Sequence, residues 1–404
     1  MWKNKNVWTV LTGEMIAGLG LWFGIIGNLE FMQKHVPSDF MKSVILFIGL
    51  LAGVLVGPLA GRMIDQSSKK KVLLYAGFGR LVSVIFMLFA LHYESISFMI
   101  LFMIAIQISA AFYFPALQAI IPLIVSENEL LQMNGIHMNV STIARILGTA
   151  LGGILLVVIS LQSLYIFSMI AYAFLLLTTY LLQFEDTPPQ KTATKKAKQT
   201  GFMEIFHILK DVPIAFNALI LSIIPLLFIG GFNLMVINIS ELQHDPAIKG
   251  LLYTVEGISF MSGAFIIKYI ANHISSLKLL YSASLLIAVA HLSLFFSDIK
   301  WMSLVSFGLF GFSVGCFFPI VSTVFQTKID KSYHGRLFSF RSMFDRVMFQ
   351  IVLLGTGLFL DTIGLSYMVL IFGVISLLII FFSFMRQKHV KHSVSSVNTT
   401  NSID

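Results

Sequence analysis

"GLLAGVLVGPLAGRMIDQSSKKKVLL" occupies residues 49–74, and its reading decides the fold. Glycine recurs at Gly49, Gly53, Gly57 and Gly61 inside an otherwise apolar run. The run stops at Arg62, an acid follows at Asp65, and Lys69, Lys70 and Lys71 come next. Glycine inside a helix costs about 1 kcal/mol against alanine, so four at this spacing need a reason. Four residues turn a helix by about 400°, so the glycines drift only about 40° per step and line one shallow groove. In lipid such a groove lets another helix backbone approach closely, either as a fixed packing face or as a smooth surface for sliding. The lysines then mark a cytoplasmic edge.

The rest of the chain agrees with a membrane setting. Of 404 residues 57% are hydrophobic and only 11% charged, with a mean hydropathy of +0.88. Soluble domains carry about 25% charged residues, so the composition is that of a polytopic membrane protein. The 38 phenylalanines suit lipid-facing helix surfaces. A single cysteine, Cys316, excludes an intramolecular disulfide and a cysteine-rich metal site. The N-terminal stretch is read as a retained first span, because Glu14 interrupts it and no small-x-small cleavage site follows.

A membrane-crossing helix needs about 20 mostly apolar residues. Twelve such spans are expected, at roughly 7–28, 41–63, 72–92, 96–123, 134–159, 162–183, 213–238, 249–271, 277–296, 300–326, 340–360 and 364–385. The expected organisation is a six-helix bundle over 1–185, a cytoplasmic linker over 186–212, a second six-helix bundle over 213–386 and a disordered cytoplasmic tail over 387–404. Within the linker, Phe202 to Lys210 reads as a short amphipathic surface helix. With both termini inside, 20 of the 27 Lys and Arg residues fall on the cytoplasmic side and four outside, at Lys34, Lys42, Lys249 and Lys300. The formal charge of +8 is therefore a topology signal, and no nucleic-acid partner is expected.

The halves echo each other. "FYFPALQAII" (112–121) is similar to "CFFPIVSTVF" (316–325), with Pro115 and Pro319 offset by 204. Gly57 and Tyr75 match Gly263 and Tyr281 at 206, and Gly148-Thr149 matches Gly355-Thr356 at 207. Three matches in order at nearly constant offset predict a duplicated six-helix unit. Parallel repeats of this kind mark a transporter with a midplane site.

At this point a resemblance carries further. "GPLAGRMIDQSSKKKVLLYAGFGR" (57–80) resembles the signature between spans 2 and 3 of the major facilitator superfamily, in the branch of macrolide-type and siderophore-type exporters. Gly57, Pro58, Leu59, Gly61, Asp65, Lys69, Lys70 and Arg80 match, and Gln66 departs from the usual arginine. "FPALQAIIPLIV" (114–125) and "NG" (134–135) also resemble that branch. The resemblance implies an inner gate in which Asp65 abuts the start of span 11 near Arg341 and Asp345. "ARILGTALGGILL" (144–156) resembles the span 5 antiporter signature through Gly148, Gly152 and Gly153, with Thr149 where proline is usual. The span 4 arginine of larger proton-antiporter branches is missing, and Gln107 is the strongly polar group there.

Ionisable residues within a span seldom face lipid. The deep ones are Glu14, Arg145 and Glu256, taken as coupling or substrate candidates. Glu14 is expected to take up a proton or bind a cationic solute, and a structural Glu14–Arg145 pair is the plainer alternative. Glu256 is also compatible with outer water. Arg80 is read as a structural partner near the cytoplasmic face, and Arg341, Asp345 and Arg346 as inner-gate residues. Asn28, Gln107, Tyr113, Asn233 and Asn238 are candidate cavity hydrogen-bonding groups, each equally able to join neighbouring helices.

Enzyme signals are weak. "GFSVG" (311–315) fits the Gly-x-Ser-x-Gly pattern, but that elbow needs a strand-to-helix turn and this copy sits in an apolar run. Neither a His-Glu-x-x-His motif nor a phosphate-binding loop occurs, and His389 and His392 are too few for a metal site. The expectation is a non-enzymatic secondary carrier without cofactor, monomeric, in a bacterial plasma membrane. It would export a hydrophobic or amphipathic small molecule against proton influx. A carrier for a specific solute such as a siderophore or lysophospholipid is the nearest alternative, and a membrane-embedded hydrolase using Ser313 a remote one.

Overall fold

The structure is a computed structural model, and it describes residues 2–126, 129–184, 208–329 and 334–400. Among the described residues every regular element is a helix. In chain order these are α1 (Lys5–His35), α2 (Asp39–Gln66), α3 (Lys69–Tyr93), α4 (Ile96–Ile124), α5 (Leu130–Val158) and α6 (Leu161–Leu181). After the linker come α7 (Pro213–Leu221), α8 (Ile223–Leu242), α9 (Ile248–Ile270), α10 (Ser276–Ser293), α11 (Lys300–Lys328) and α12 (His334–Thr400). Among the described residues eleven helical stretches are long and apolar enough to cross a membrane. The last of them, Phe340–Gln387, runs for 48 residues and takes in the final two expected spans.

Local chemistry explains the boundaries. Ser38, Ser68 and Ser160 each accept a hydrogen bond from a first-turn amide, capping α2, α3 and α6. The quoted stretch thus ends with a serine cap, and its three lysines form the first turn of α3. The expected span 7 is broken at Ser222 into α7 and α8. Pro225 has no amide to offer the carbonyl of Leu221, and its ring crowds that carbonyl. Inside α12, Gly364 adopts φ 76° and ψ 171°, a backbone state that glycine alone enters freely. The helix is kinked there.

Two expectations concern the chain beyond the spans. Helix α12 is described through Thr400, across the stretch after 387 that the sequence reading leaves as tail. No glycine or proline follows Gly373, so nothing in the sequence stops it. Of the expected surface helix Phe202–Lys210, only residues 208–210 are described, and they are helical.

The chain forms two compact units. The first comprises Met1–Lys195 together with His244–Thr254, and the second Lys196–Gln243 with Val255–Asp404. In the first unit α1 packs on α5 and α6, α3 on α4 and α6, and α2 on α4. In the second, α8 packs on α12, and α10 on α11 and α12. The α3–α4 and α3–α6 pairings thus recur as α10–α11 and α10–α12, as the internal repeat predicts. Phe228 anchors the second core, stacked on Phe310 at 3.7 Å between centroids and edge-on to Phe307 at 5.3 Å.

Candidate functional site

The first unit encloses charge where α1, α3, α4 and α5 meet. Glu14 on α1 is buried. One of its carboxylate oxygens accepts a hydrogen bond from the Tyr113 hydroxyl of α4. The other lies 3.4 Å from Nε2 of His137 on α5. The two atoms are close but not aligned for a hydrogen bond. Arg80 of α3 lays its guanidinium over the Tyr113 ring at 3.9 Å and near Phe114 at 5.1 Å. A cavity of about 280 Å³ opens beside this cluster. Glu14, Arg80, Arg145, Ser141 and Thr142 are its polar lining, and Trp22, Leu21, Phe114 and Met138 supply most of the apolar wall.

The glycines position these helices. A Cβ at Gly148 would meet the Trp22 side chain and Leu19 backbone, and one at Gly152 would meet Ile26 and Phe23, so α5 lies close along α1. Gly153 faces the other way, onto Ala247 and Gly250. The opening glycine row is divided. Gly49 and Gly53 lie against Met103 and Gln107 of α4, whereas a Cβ at Gly57 or Gly61 would meet nothing within 4 Å among the described residues.

The predicted site residues are redistributed. Glu14 and Arg145 do share the cavity wall, but the contacts described for the Glu14 carboxylate are Tyr113 and His137. Arg80, read as a structural partner near the cytoplasmic face, joins the Glu14 cluster and lies about 16 Å along α3 from Lys69. Tyr113 reaches the cluster from beneath rather than lining the cavity. Asn28 joins helices, accepting from the Tyr165 hydroxyl at 2.5 Å. Gln107 supports α2 at Gly53, and Asn238 donates to the Leu234 carbonyl of its own helix at 3.1 Å. Asn233 lies on α8 and Glu256, buried, on α9, both in the second unit.

Of the inner-gate group, Lys69 opens α3 and Lys70 donates to the Leu182 carbonyl at 2.6 Å. The Asp65 side chain lies outside the described residues, so its expected latch does too. Arg341 and Asp345 face each other at 3.5 Å, one turn apart, and line a second depression of about 320 Å³ with Ser322 and Arg346.

Sequence reasoning missed His137. It is an ionisable group inside the fifth span, and the rule that flagged Glu14 and Arg145 flags it equally. A buried ion pair also went unseen. Lys249 places Nζ 2.9 Å from Oε2 of Glu30, whose other oxygen faces Lys34 at 3.0 Å.

The "GFSVG" stretch resolves as packing. Gly311 and Gly315 lie one turn apart on α11, against the backbone of Glu256 and Phe260 on α9. Ser313 between them is buried in helix and donates to the Leu309 carbonyl at 2.6 Å. Among the described residues no base stands beside its hydroxyl, and the backbone beneath it is regular helix. Replacing it as Ser313→Ala is expected to leave transport unchanged; loss of all activity in a normally expressed variant would contradict this assignment.

Membrane-length helices, a repeated bundle and a charged cavity are the features of a multi-pass membrane transporter. The chain belongs to the Major Facilitator Superfamily, which it matches over residues 10–344 and 229–401. It is 24% identical over 394 residues to the MFS-type transporter YfiS of Bacillus subtilis (strain 168), covering 93% of this chain and 92% of that one. It is 22% identical over 391 residues to Macrolide efflux protein A of Streptococcus pyogenes, covering 92% and 93%. Among solved structures, the nucleoside transporter NupG superposes with a TM-score of 0.70 at 16% identity, covering 94% of this chain and 98% of that one. The chain is a transporter and not an enzyme.

Proposed function

We propose that this protein is a secondary carrier of the bacterial plasma membrane that exports hydrophobic or amphipathic small molecules by alternating access, driven by proton influx. The observation that carries the reading is the cavity beside Glu14, walled by Trp22, Leu21, Phe114 and Met138. An apolar chamber with a few convergent charges suits an amphipathic solute better than a sugar or a bare ion. Full-length similarity to a macrolide efflux protein supports the outward direction.

Glu14 is the coupling residue in this reading. A carboxyl within a span, bonded to a hydroxyl and facing an imidazole, is the arrangement of an intramembrane proton relay. Protonation of the Glu14–His137 pair changes the net charge of the cavity wall by one. Solute and proton therefore compete for the same site, which is what exchange of one for the other requires.

The test is substrate-triggered proton flux in proteoliposomes, with a macrolide and a lipophilic dye as trial solutes. Wild-type protein is expected to acidify a solute-loaded lumen only while solute leaves it. Glu14→Gln is expected to abolish the proton movement and to leave downhill solute exchange. Proton flux unchanged in that variant would remove Glu14 from the role.

A further inference from the structure

Helix α9 is shared: His244–Thr254 belongs to the first unit and the residues from Val255 onward to the second. Its head, from Ile248 to Thr254, is seated on α1 and α5. A Cβ at Gly153 would lie 2.8 Å from the Gly250 Cα, and one at Gly250 would fall on the Thr149 carbonyl, so two backbones touch there with no side chain between them. The hydroxyls of Thr149 and Thr254 lie 3.4 Å apart. The Lys249 ammonium lies 2.9 Å from the Glu30 carboxylate. The seat is smooth backbone with polar fasteners, a face without interlocking side chains. Opening it as a whole brings both ions to water together, which avoids the stranded charge that removing one member leaves. Local openings of this kind cost far less than unfolding.

One further contact of the head leads to the chamber. Trp22 is part of the chamber wall. Its indole meets the Tyr253 ring at 5.8 Å between centroids and 61° between planes. Tyr253 stands behind the wall, buried at 5% exposure and outside the lining. The Trp22 Cβ has α5 against it, since a Cβ at Gly148 would lie only 2.8 Å away. An indole displaced by a solute therefore has no room on the Gly148 side and moves against Tyr253. Tyr253 shares one helical turn with Lys249, Gly250 and Thr254, the residues that make the seat.

We infer that Tyr253 is a positioning residue for transport: it carries occupancy of the chamber from Trp22 to the head of α9, so that a solute on Trp22 loosens the seat. This rests on the chamber being the solute site, as proposed above. A ligand shifts such an equilibrium only through contacts that differ between the two states, and the Trp22–Tyr253 contact is where that difference arises.

Thiol reactivity of purified full-length protein tests the inference. Thr149 is completely buried, so Thr149→Cys places a thiol inside the closed seat. Cys316, buried in helix packing of the second unit, is the internal standard of a contact that stays closed. Erythromycin and rhodamine 6G are the probes, with their binding measured by equilibrium dialysis. Without a probe the introduced thiol is expected to react slowly with a methanethiosulfonate reagent, and Cys316 not at all. A saturating probe is expected to speed the reaction by about fivefold to a hundredfold, the usual range of coupling between two sites. Tyr253→Ala is expected to remove the acceleration while the probe still binds. Tyr253→Phe keeps the ring and is expected to retain the acceleration. Should Tyr253→Ala fail to fold, Tyr253→Leu fills most of the space and takes its place.

Reactivity unchanged by a bound probe overturns the inference and leaves the carrier reading standing. Acceleration that persists without the Tyr253 ring overturns the role given to Tyr253. Failure of both probes to bind folded protein overturns the chamber as the site of such solutes, and the inference with it.

Discussion

Replacing Gly311 by alanine is expected to destabilise the second unit by about 1–3 kcal/mol, and replacing it by valine by more. A Cβ at Gly311 would fall on the Glu256 carbonyl, and one at Gly315 on the Phe260 carbonyl. Both obstacles are backbone, so neither can rotate aside as a flexible side chain would. Gly263 repeats the contact from the opposite helix, against the Phe312 carbonyl. In lipid there is no hydrophobic gain from bringing helices together, and close backbone contact supplies what holds α9 to α11. The measurement is the apparent melting temperature and monodispersity of detergent-purified variants. Gly311→Ala and Gly315→Ala should each lower the melting temperature, and the pair together should yield little folded protein. Wild-type melting in Gly311→Val would contradict the packing assigned here.

The second large effect concerns Glu30. Lys249 is completely buried and lies 2.9 Å from the Glu30 carboxylate. Breaking a buried pair by removing one member costs about 3–5 kcal/mol, because the remaining charge loses its counter-charge without regaining water. Glu30→Gln, which leaves Lys249 without that carboxylate, is expected at the upper end. Lys249→Met is expected to cost less, since Lys34 still faces the other Glu30 oxygen at 3.0 Å. The double variant should recover part of the loss, because neither member of this pair then keeps a charge that the other has lost. Thermal melts of the two single variants and the double test this, and losses that simply add in the double would show that the two residues are not coupled.

Much of the fold was legible in the sequence, because lipid permits few answers. Any run of about 20 apolar residues must become a helix there, so apolar runs sufficed for the spans. The repeat was legible through Pro115 and Pro319, whose matching positions reflect the matching roles of α4 and α11. The breaks at Ser222 and Gly364 follow from Pro225 and from glycine at 364, both visible beforehand, although only the second was anticipated.

The site was legible only in part. Glu14 and Arg145 stood out because charge inside a span needs a reason. Their partners did not, since an apolar helix can turn many of its faces inward and sequence periodicity does not set the angle. His137 carried the same signal and was passed over. The Glu30–Lys249 pair joins residues 219 positions apart, each near the end of its own helix. Chain-end charges look like ordinary interfacial residues until the helices are placed. Asn28 and Gln107 went the other way, polar in sequence yet absorbed into helix contacts.

Cys316 has a practical consequence. Its sulfur is buried and lies 3.5 Å from the Gly263 carbonyl, in the tight seam between α9 and α11. Maleimide and methanethiosulfonate reagents therefore meet a native polypeptide that is silent to them. Single reporter thiols introduced at Lys34, Lys300 or Met138 can be followed in the otherwise unaltered protein, with the parent serving as its own blank.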